Sequence, residues 1–172
     1  MSTYPTIAAG QSITANLLTS MLPQQVVKQA NTDKVNSTFG ADPELTMPLA
    51  ANAVYHVEFL LIAGGIATAD VQTRWALPAT ASGLRVVNGP GSAALETNAD
   101  NVATRQGVHQ FSTAILYNGV RNATANYFRI YEYAVVTLVD AGNVTLEWAQ
   151  GTTQTTASRI AAGSLLRVRR LG

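Results

Sequence analysis

The chain contains no cysteine, which excludes a disulfide scaffold, a thiol nucleophile, a zinc ribbon and an iron–sulfur centre. Charge is scarce: Asp, Glu, Lys and Arg supply 12% of the 172 residues, against about 25% in an average soluble protein. The 11 basic and 10 acidic side chains leave a formal net charge of +1, so the electrostatic footprint of a nucleic-acid binder is missing and no nucleic-acid partner is expected. Long apolar runs are lacking too. The longest, Phe59 to Ala67, contains two glycines and falls far short of the roughly 20 residues that cross a bilayer, so no membrane partner is expected. The opening MSTYPTIAAGQSITANLL has neither the basic start nor the unbroken apolar stretch of a signal peptide.

What is present is apolar: 47% of the residues, enough to close one core without help. With so little net charge, weak repulsion opposes self-association, and a permanent assembly is the expectation. Residues 1–23 read as an arm. Within it Ile13, Leu17, Leu18 and Met21 fall at helical spacing, with Ser12 as the expected N-cap and Pro23 closing the run. A helix of about three turns is marginal alone and must pack on something, either its own domain or a neighbouring subunit.

Residues 24–172 turn to Val, Thr, Tyr and Ile punctuated by Gly, Asn, Asp and Pro, the pattern of many short strands. Ten are expected: Val26–Gln29, Lys34–Thr38, Leu45–Pro48, Val54–Ile62, Val71–Leu77, Leu84–Asn88, Val108–Asn118, Tyr127–Val139, Asn143–Gln150 and Ser164–Arg170. Asp140-Ala141-Gly142 predicts a tight hairpin between the eighth and ninth, its glycine supplying a positive φ. The stretches Ala63–Ala69, Gly89–Thr104 and Gly151–Ala162 read as exposed loops. In the ninth strand Val144, Leu146 and Trp148 share a face, which places Trp148 in the core or at a subunit seam. The eighth carries Phe128, Ile130, Ala134, Val136 and Leu138 on one face, and Tyr127, Tyr131, Tyr133, Val135 and Val139 on the other. Both faces are too apolar for water, and a tyrosine-rich second face points to another subunit. The fold class expected is all-β: a two-sheet antiparallel jelly-roll sandwich with a short N-terminal helix or arm.

Reactive chemistry finds little material. The two histidines, His56 and His109, both fall inside strands and read as structural or interface residues rather than bases. Glu58, Glu132 and Glu147 are the candidates for a glycosidase carboxylate pair, though ion pairing of Glu147 with Arg129 or Arg167 is the plainer account. Asn98-Ala99-Asp100-Asn101 lacks the acidic spacing of a calcium loop, and Asn88-Gly89-Pro90-Gly91 is turn chemistry rather than a phosphate cradle. No catalytic, metal-binding or cofactor-binding residue, and no cofactor, is expected. Arg167, Arg169 and Arg170 cluster near the C-terminus, where they protect an edge strand and can pair with a neighbouring subunit.

Three segments, GQSITANLLTSMLPQQVVKQ, ADPELTMPLAANAVYHVEFLL and VTLEWAQGTTQTTASRIAAGSLLRVRRLG, resemble a group of small virion proteins of tailed bacteriophages, particularly phages of actinobacteria. The resemblance implies a trimeric jelly roll akin to the tumour-necrosis-factor and C1q-like sandwiches, made in the host cytoplasm and carried on the phage particle. The function it implies is a homotrimeric decoration (minor capsid) protein of the head, with the major capsid protein as partner. The alternatives are a minor tail or tail-tip protein contacting a host-surface glycan, a glycan-cleaving enzyme, and a free carbohydrate-binding module. On this reading Leu17, Leu18, Met21 and Leu22 anchor the arm to the partner, and His56, Tyr131, Tyr133, Arg167 and Arg169 line the subunit interface.

Overall fold

A computed structural model of the protein describes residues 7–94, 102–119 and 123–172. Among these residues are one helix, α1 (Ala15–Ser20), and twelve strands: β1 (Gln24–Val27), β2 (Thr32–Lys34), β3 (Gly40–Leu49), β4 (Ala53–Gly64), β5 (Val71–Ala76), β6 (Arg85–Ala94), β7 (Val102–His109), β8 (Ile115–Tyr117), β9 (Tyr127–Leu138), β10 (Gly142–Ala149), β11 (Ser158–Ile160) and β12 (Leu165–Arg170). The larger sheet has eight strands, ordered β1-β12-β4-β9-β6-β7, with β11 continuing the β12 side of β4 and carrying β2. The smaller has four, ordered β3-β10-β5-β8. The ribbon β3-β4-β5 lies antiparallel against β8-β9-β10, pairing β3 with β10, β4 with β9 and β5 with β8. Consecutive strands of each ribbon belong to opposite sheets, which is the jelly-roll winding.

Strand periodicity builds the core. In β4 the odd-numbered residues Tyr55, Val57, Phe59, Leu61 and Ala63 are buried, whereas Val54, His56, Glu58, Leu60 and Ile62 are half-buried on the outer face. The smaller sheet answers with Leu45, Met47, Val71, Trp75, Val144, Leu146 and Trp148. Trp75 sits edge-on to Phe59 at 4.9 Å and stacks on Phe111 at 5.9 Å. Trp148 is fully buried, as its shared face with Val144 and Leu146 implies. Among the described residues no helix is long and apolar enough to cross a membrane.

The hairpin expected at Asp140-Ala141-Gly142 is not formed: β9 pairs β4 and β6, and β10 pairs β3 and β5. The turn carries the chain from one sheet to the other. Alternating apolar faces are satisfied as well by strands facing across a sandwich as by strands side by side, so periodicity alone does not separate the two. Gly142 is not among the glycines with positive φ. Its lack of a side chain serves close approach, because a Cβ there would lie 2.5 Å from Pro78 Cγ.

Other boundaries shift for local reasons. The expected strand Val108–Asn118 is interrupted, with β7 ending at His109 and β8 beginning at Ile115. Gly89–Thr104 is not a free loop: its ends extend β6 and β7, while Asn98-Ala99-Asp100-Asn101 lies outside the described residues. Within Gly151–Ala162 the short strand β11 buries Ser158 and Ile160, and within Ala63–Ala69 the residues Gly65 and Ala69 are buried.

One polar cluster crosses the interior. Glu132 of β9 is wholly buried and accepts hydrogen bonds from Thr73 Oγ1 (2.5 Å), Trp75 Nε1 (2.5 Å), Tyr117 OH (2.7 Å) and Arg85 Nη1 (2.8 Å). Arg85 Nη2 donates further to the carbonyls of Thr73 and Thr113. Burial and the neighbouring Glu132 carboxylate push the Tyr117 phenol far above its usual range, so it stays a proton donor. Glu132→Ala strands the Arg85 charge in the core and is expected to cost about 3–5 kcal/mol of stability, measured by urea denaturation. Trp148→Ala is expected to cost a similar ~3–5 kcal/mol through cavity formation, read in the same assay.

Candidate functional site

The two outer surfaces of the sandwich differ in chemistry. On the smaller sheet, Thr46 and Thr145 share a hydrogen bond at 2.7 Å, and Arg74 Nε donates to Glu147 at 2.6 Å while its guanidinium covers the Phe39 ring. That face is dressed for water. Arg74 therefore takes the place expected of Arg129 or Arg167 as the partner of Glu147, because β10 pairs β5 and not β9 or β12.

The larger sheet presents the opposite. Pleating of β4, β9, β12, β6 and β7 brings Leu60, Ile62, Val86, Val108, Val135 and Leu165 to one outer face. Val135 and Val108 are 51% and 59% exposed. In the middle lie Tyr131 and Tyr133, half-buried, with ring centroids 5.3 Å apart. Contiguous apolar surface of this kind on a monomer marks an interaction site.

All five residues expected at a subunit interface fall on this face, and three of them converge on one carboxylate. Glu58 accepts hydrogen bonds from Tyr131 OH (3.1 Å) and Arg167 Nη1 (3.3 Å), and His56 Nδ1 lies 3.7 Å from it. Tyr133 sits opposite Glu58 in register and tilts against His56 at 6.2 Å. Arg169 stands opposite His56 on β12. Partial burial first, then the Glu58 charge, raise the Tyr131 phenol above its ordinary range, keeping it a donor to that carboxylate. Open to water, the Glu58–Arg167 pair contributes little. Covered, it becomes a directional polar contact inside an apolar rim.

Glu58 is the residue that sequence reasoning failed to place here. It was legible as a carboxylate, but its role as a hub depends on the alignment of β12, β4 and β9, which alternation along a single strand does not encode. The three carboxylates weighed for glycosidase chemistry lie in three layers: Glu58 outside the larger sheet, Glu132 between the sheets, and Glu147 outside the smaller. They do not face one another across a common cleft. His109 ends β7, which among the described residues is an edge strand paired with β6 alone.

The arm lies apart from the core. α1 spans six residues and is capped by Thr14, whose Oγ1 accepts from Leu17 N at 3.2 Å, so the cap sits two residues later than Ser12 and the helix is shorter than three turns. Leu17 is half-buried; Leu18, Met21 and Leu22 are 54%, 45% and 64% exposed. Leu22 joins Gln24, Pro48, Tyr55, Val168 and Arg170 around a cleft of about 270 Å³ at one end of the sandwich. Three of the four residues expected to anchor the arm, Leu18, Met21 and Leu22, thus present apolar surface outward rather than filling the space beneath their own sheet. Comparison with models of known protein families and with curated proteins finds no match for the chain.

Proposed function

We propose that the protein is a structural component of a bacteriophage particle that self-assembles through the outer face of its larger sheet, as a homotrimer decorating the head. One observation carries the assembly part of this reading: of two outer surfaces made by the same strand chemistry, one is polar and the other exposes Val108 and Val135 beside half-buried Leu60, Leu165 and a tyrosine pair. Covering that face gains about 25 cal/mol per Å² of apolar area removed from water. The placement on a virion is supported by the resemblance of the three quoted segments to phage virion proteins. Residues 78–83 and 151–157, which connect strands, contain no aromatic residue, which favours decoration over a glycan-reading tail tip.

The exposed arm fits attachment to a second protein such as the major capsid protein. Residues 7–22 carry no charged side chain, and their leucines and methionine need an apolar partner to hold the short helix.

Light scattering on dilute protein is expected to give a trimer, and Val135→Asp is expected to shift it toward monomer, since an unpaired carboxylate buried at the seam costs more than about 2 kcal/mol. A wild-type monomer at micromolar concentration overturns the assembly reading. Deletion through Leu22 is expected to leave a folded oligomer, by circular dichroism and light scattering, that no longer co-sediments with phage particles lacking the native protein. Retained attachment by the truncated chain overturns the anchor assignment.

A further inference from the structure

A second buried charge cluster lies where β1 leaves the larger sheet and meets β3 of the smaller. Lys28 Nζ is 2.8 Å from Asp42 Oδ1, and neither side chain has any exposure to solvent. Glu44 Oε1 is 3.2 Å from the same nitrogen, and the Glu44 carboxylate is fixed by the N–H groups of Gln29 and Ala30. The Lys28 backbone is pinned at both polar groups, donating to Ser164 O and accepting from Gly163 N. Asp42 is held just as firmly. β3 slips its register against β10 around it, Oδ1 accepts from Glu44 N and Leu45 N at 3.1 Å each, and Oδ2 accepts from Trp148 Nε1 at 3.3 Å.

We propose that Lys28 and Asp42 are joined in the mature protein by an intramolecular isopeptide bond, formed by the chain itself with Glu44 as the proton shuttle. The reacting groups are already in contact and cannot diffuse apart, the condition under which amide formation gains most from proximity. Glu44 moves one proton from the ammonium to Asp42 Oδ2, leaving an amine and a carboxylic acid. Nζ attacks Cγ and the C–N bond forms, while the Glu44 and Leu45 N–H groups hold Oδ1 as it gains charge. The second Nζ proton follows to Oδ2, the C–Oδ2 bond breaks, and water leaves. Ammonium and carboxylate become amide and water, no electrons are exchanged, and Glu44 ends as it began. The reaction also removes two buried charges whose desolvation opposes folding.

The neighbouring groups show why this pair is singular among the described residues. The other fully buried ion pair, Arg85–Glu132, has a permanently protonated guanidinium and no nucleophile. Lys34 directs its ammonium at the carbonyls of Gly40 and Trp148 and over the Trp148 ring, with no hydrogen bond to a carboxylate. The bond would tie the end of the strand that follows the arm to the opposite sheet, so tension that peeled β1 from β12 would be stopped at Lys28.

Intact-mass spectrometry of the purified full chain tests this. The expected mass is one water below that of the sequence, and trypsin is expected to leave Lys28 uncut, with the peptides containing Lys28 and Asp42 recovered as one branched species. Lys28→Arg and Glu44→Gln are expected to restore full mass while circular dichroism shows a folded β protein, and Asp42→Asn is expected to lose one ammonia instead of one water. Folded wild-type protein at full mass overturns the proposal. So does a deficit of one water with Lys28 cleaved normally, which marks succinimide formation elsewhere. A branched species that forms undiminished in Glu44→Gln removes Glu44 from the mechanism.

Discussion

Glu132 decides which way β9 points. Its carboxylate, on β9 of the larger sheet, is satisfied by Thr73 and Trp75 of β5 and Tyr117 of β8, all on the smaller sheet, with Arg85 of β6 closing the charge. A charged carboxylate in the core costs least when its oxygens are engaged by donors, as those of Glu132 are by four, and this arrangement exists at one register alone. Slipping β9 by one residue would take Glu132 to solvent, strand Arg85 inside, and carry Tyr131 and Tyr133 into the core. The tyrosine-rich outer face is therefore a consequence of the buried ion pair.

That dependence explains what the sequence could and could not disclose. Alternation along Tyr127–Val139 and Asn143–Gln150 was enough to reveal two-faced strands and a sandwich, because burial follows the period-2 pattern directly. Glu132 falls in the middle of the inward series of β9, between Ile130 and Ala134, and a search for apolar faces passes over it. Its partners come from residues 73, 75, 85 and 117, distances along the chain at which no local pattern operates. The same limit produced the false hairpin at Asp140-Ala141-Gly142. Turn chemistry was read correctly as a tight reversal, but whether a reversal stays in one sheet or crosses to the other is decided by which strands already flank the position, here β4 and β6 on one side and β3 and β5 on the other. Ser158–Ile160 was hidden differently, inside a Thr- and Ala-rich stretch whose composition resembles a loop; its strand exists because Asp33 of β2 holds Arg159 in a two-point contact at 2.6 and 2.7 Å and Ser158 reaches the Asp70 carbonyl.

The two buried clusters divide the mechanical work of the sandwich. The Arg85–Glu132 pair of the larger sheet reaches Thr73, Trp75 and Tyr117 of the smaller near their middle, and it acts only through hydrogen bonds and charge. Lys28–Asp42 joins them at the edge where the arm enters, and its ammonium is the one buried cation among the described residues able to become a nucleophile. An edge strand of four residues is the weakest element through which an attachment arm could be held, since few ladder bonds resist its peeling. The proposed covalent link would put resistance where a load on the arm would arrive.

The outer face carries a corresponding division between affinity and geometry. In the proposed assembly, valine and leucine surface would supply non-directional attraction, which by itself would admit many rotations of one subunit on another. Glu58, with Tyr131, Arg167 and His56 around it, is directional: once water is excluded, any arrangement that leaves its carboxylate without donors carries a desolvation cost of several kcal/mol. A polar hub within an apolar rim therefore penalises wrong rotations more than it strengthens the right one, and this is the property a closed, symmetric oligomer requires of its seam.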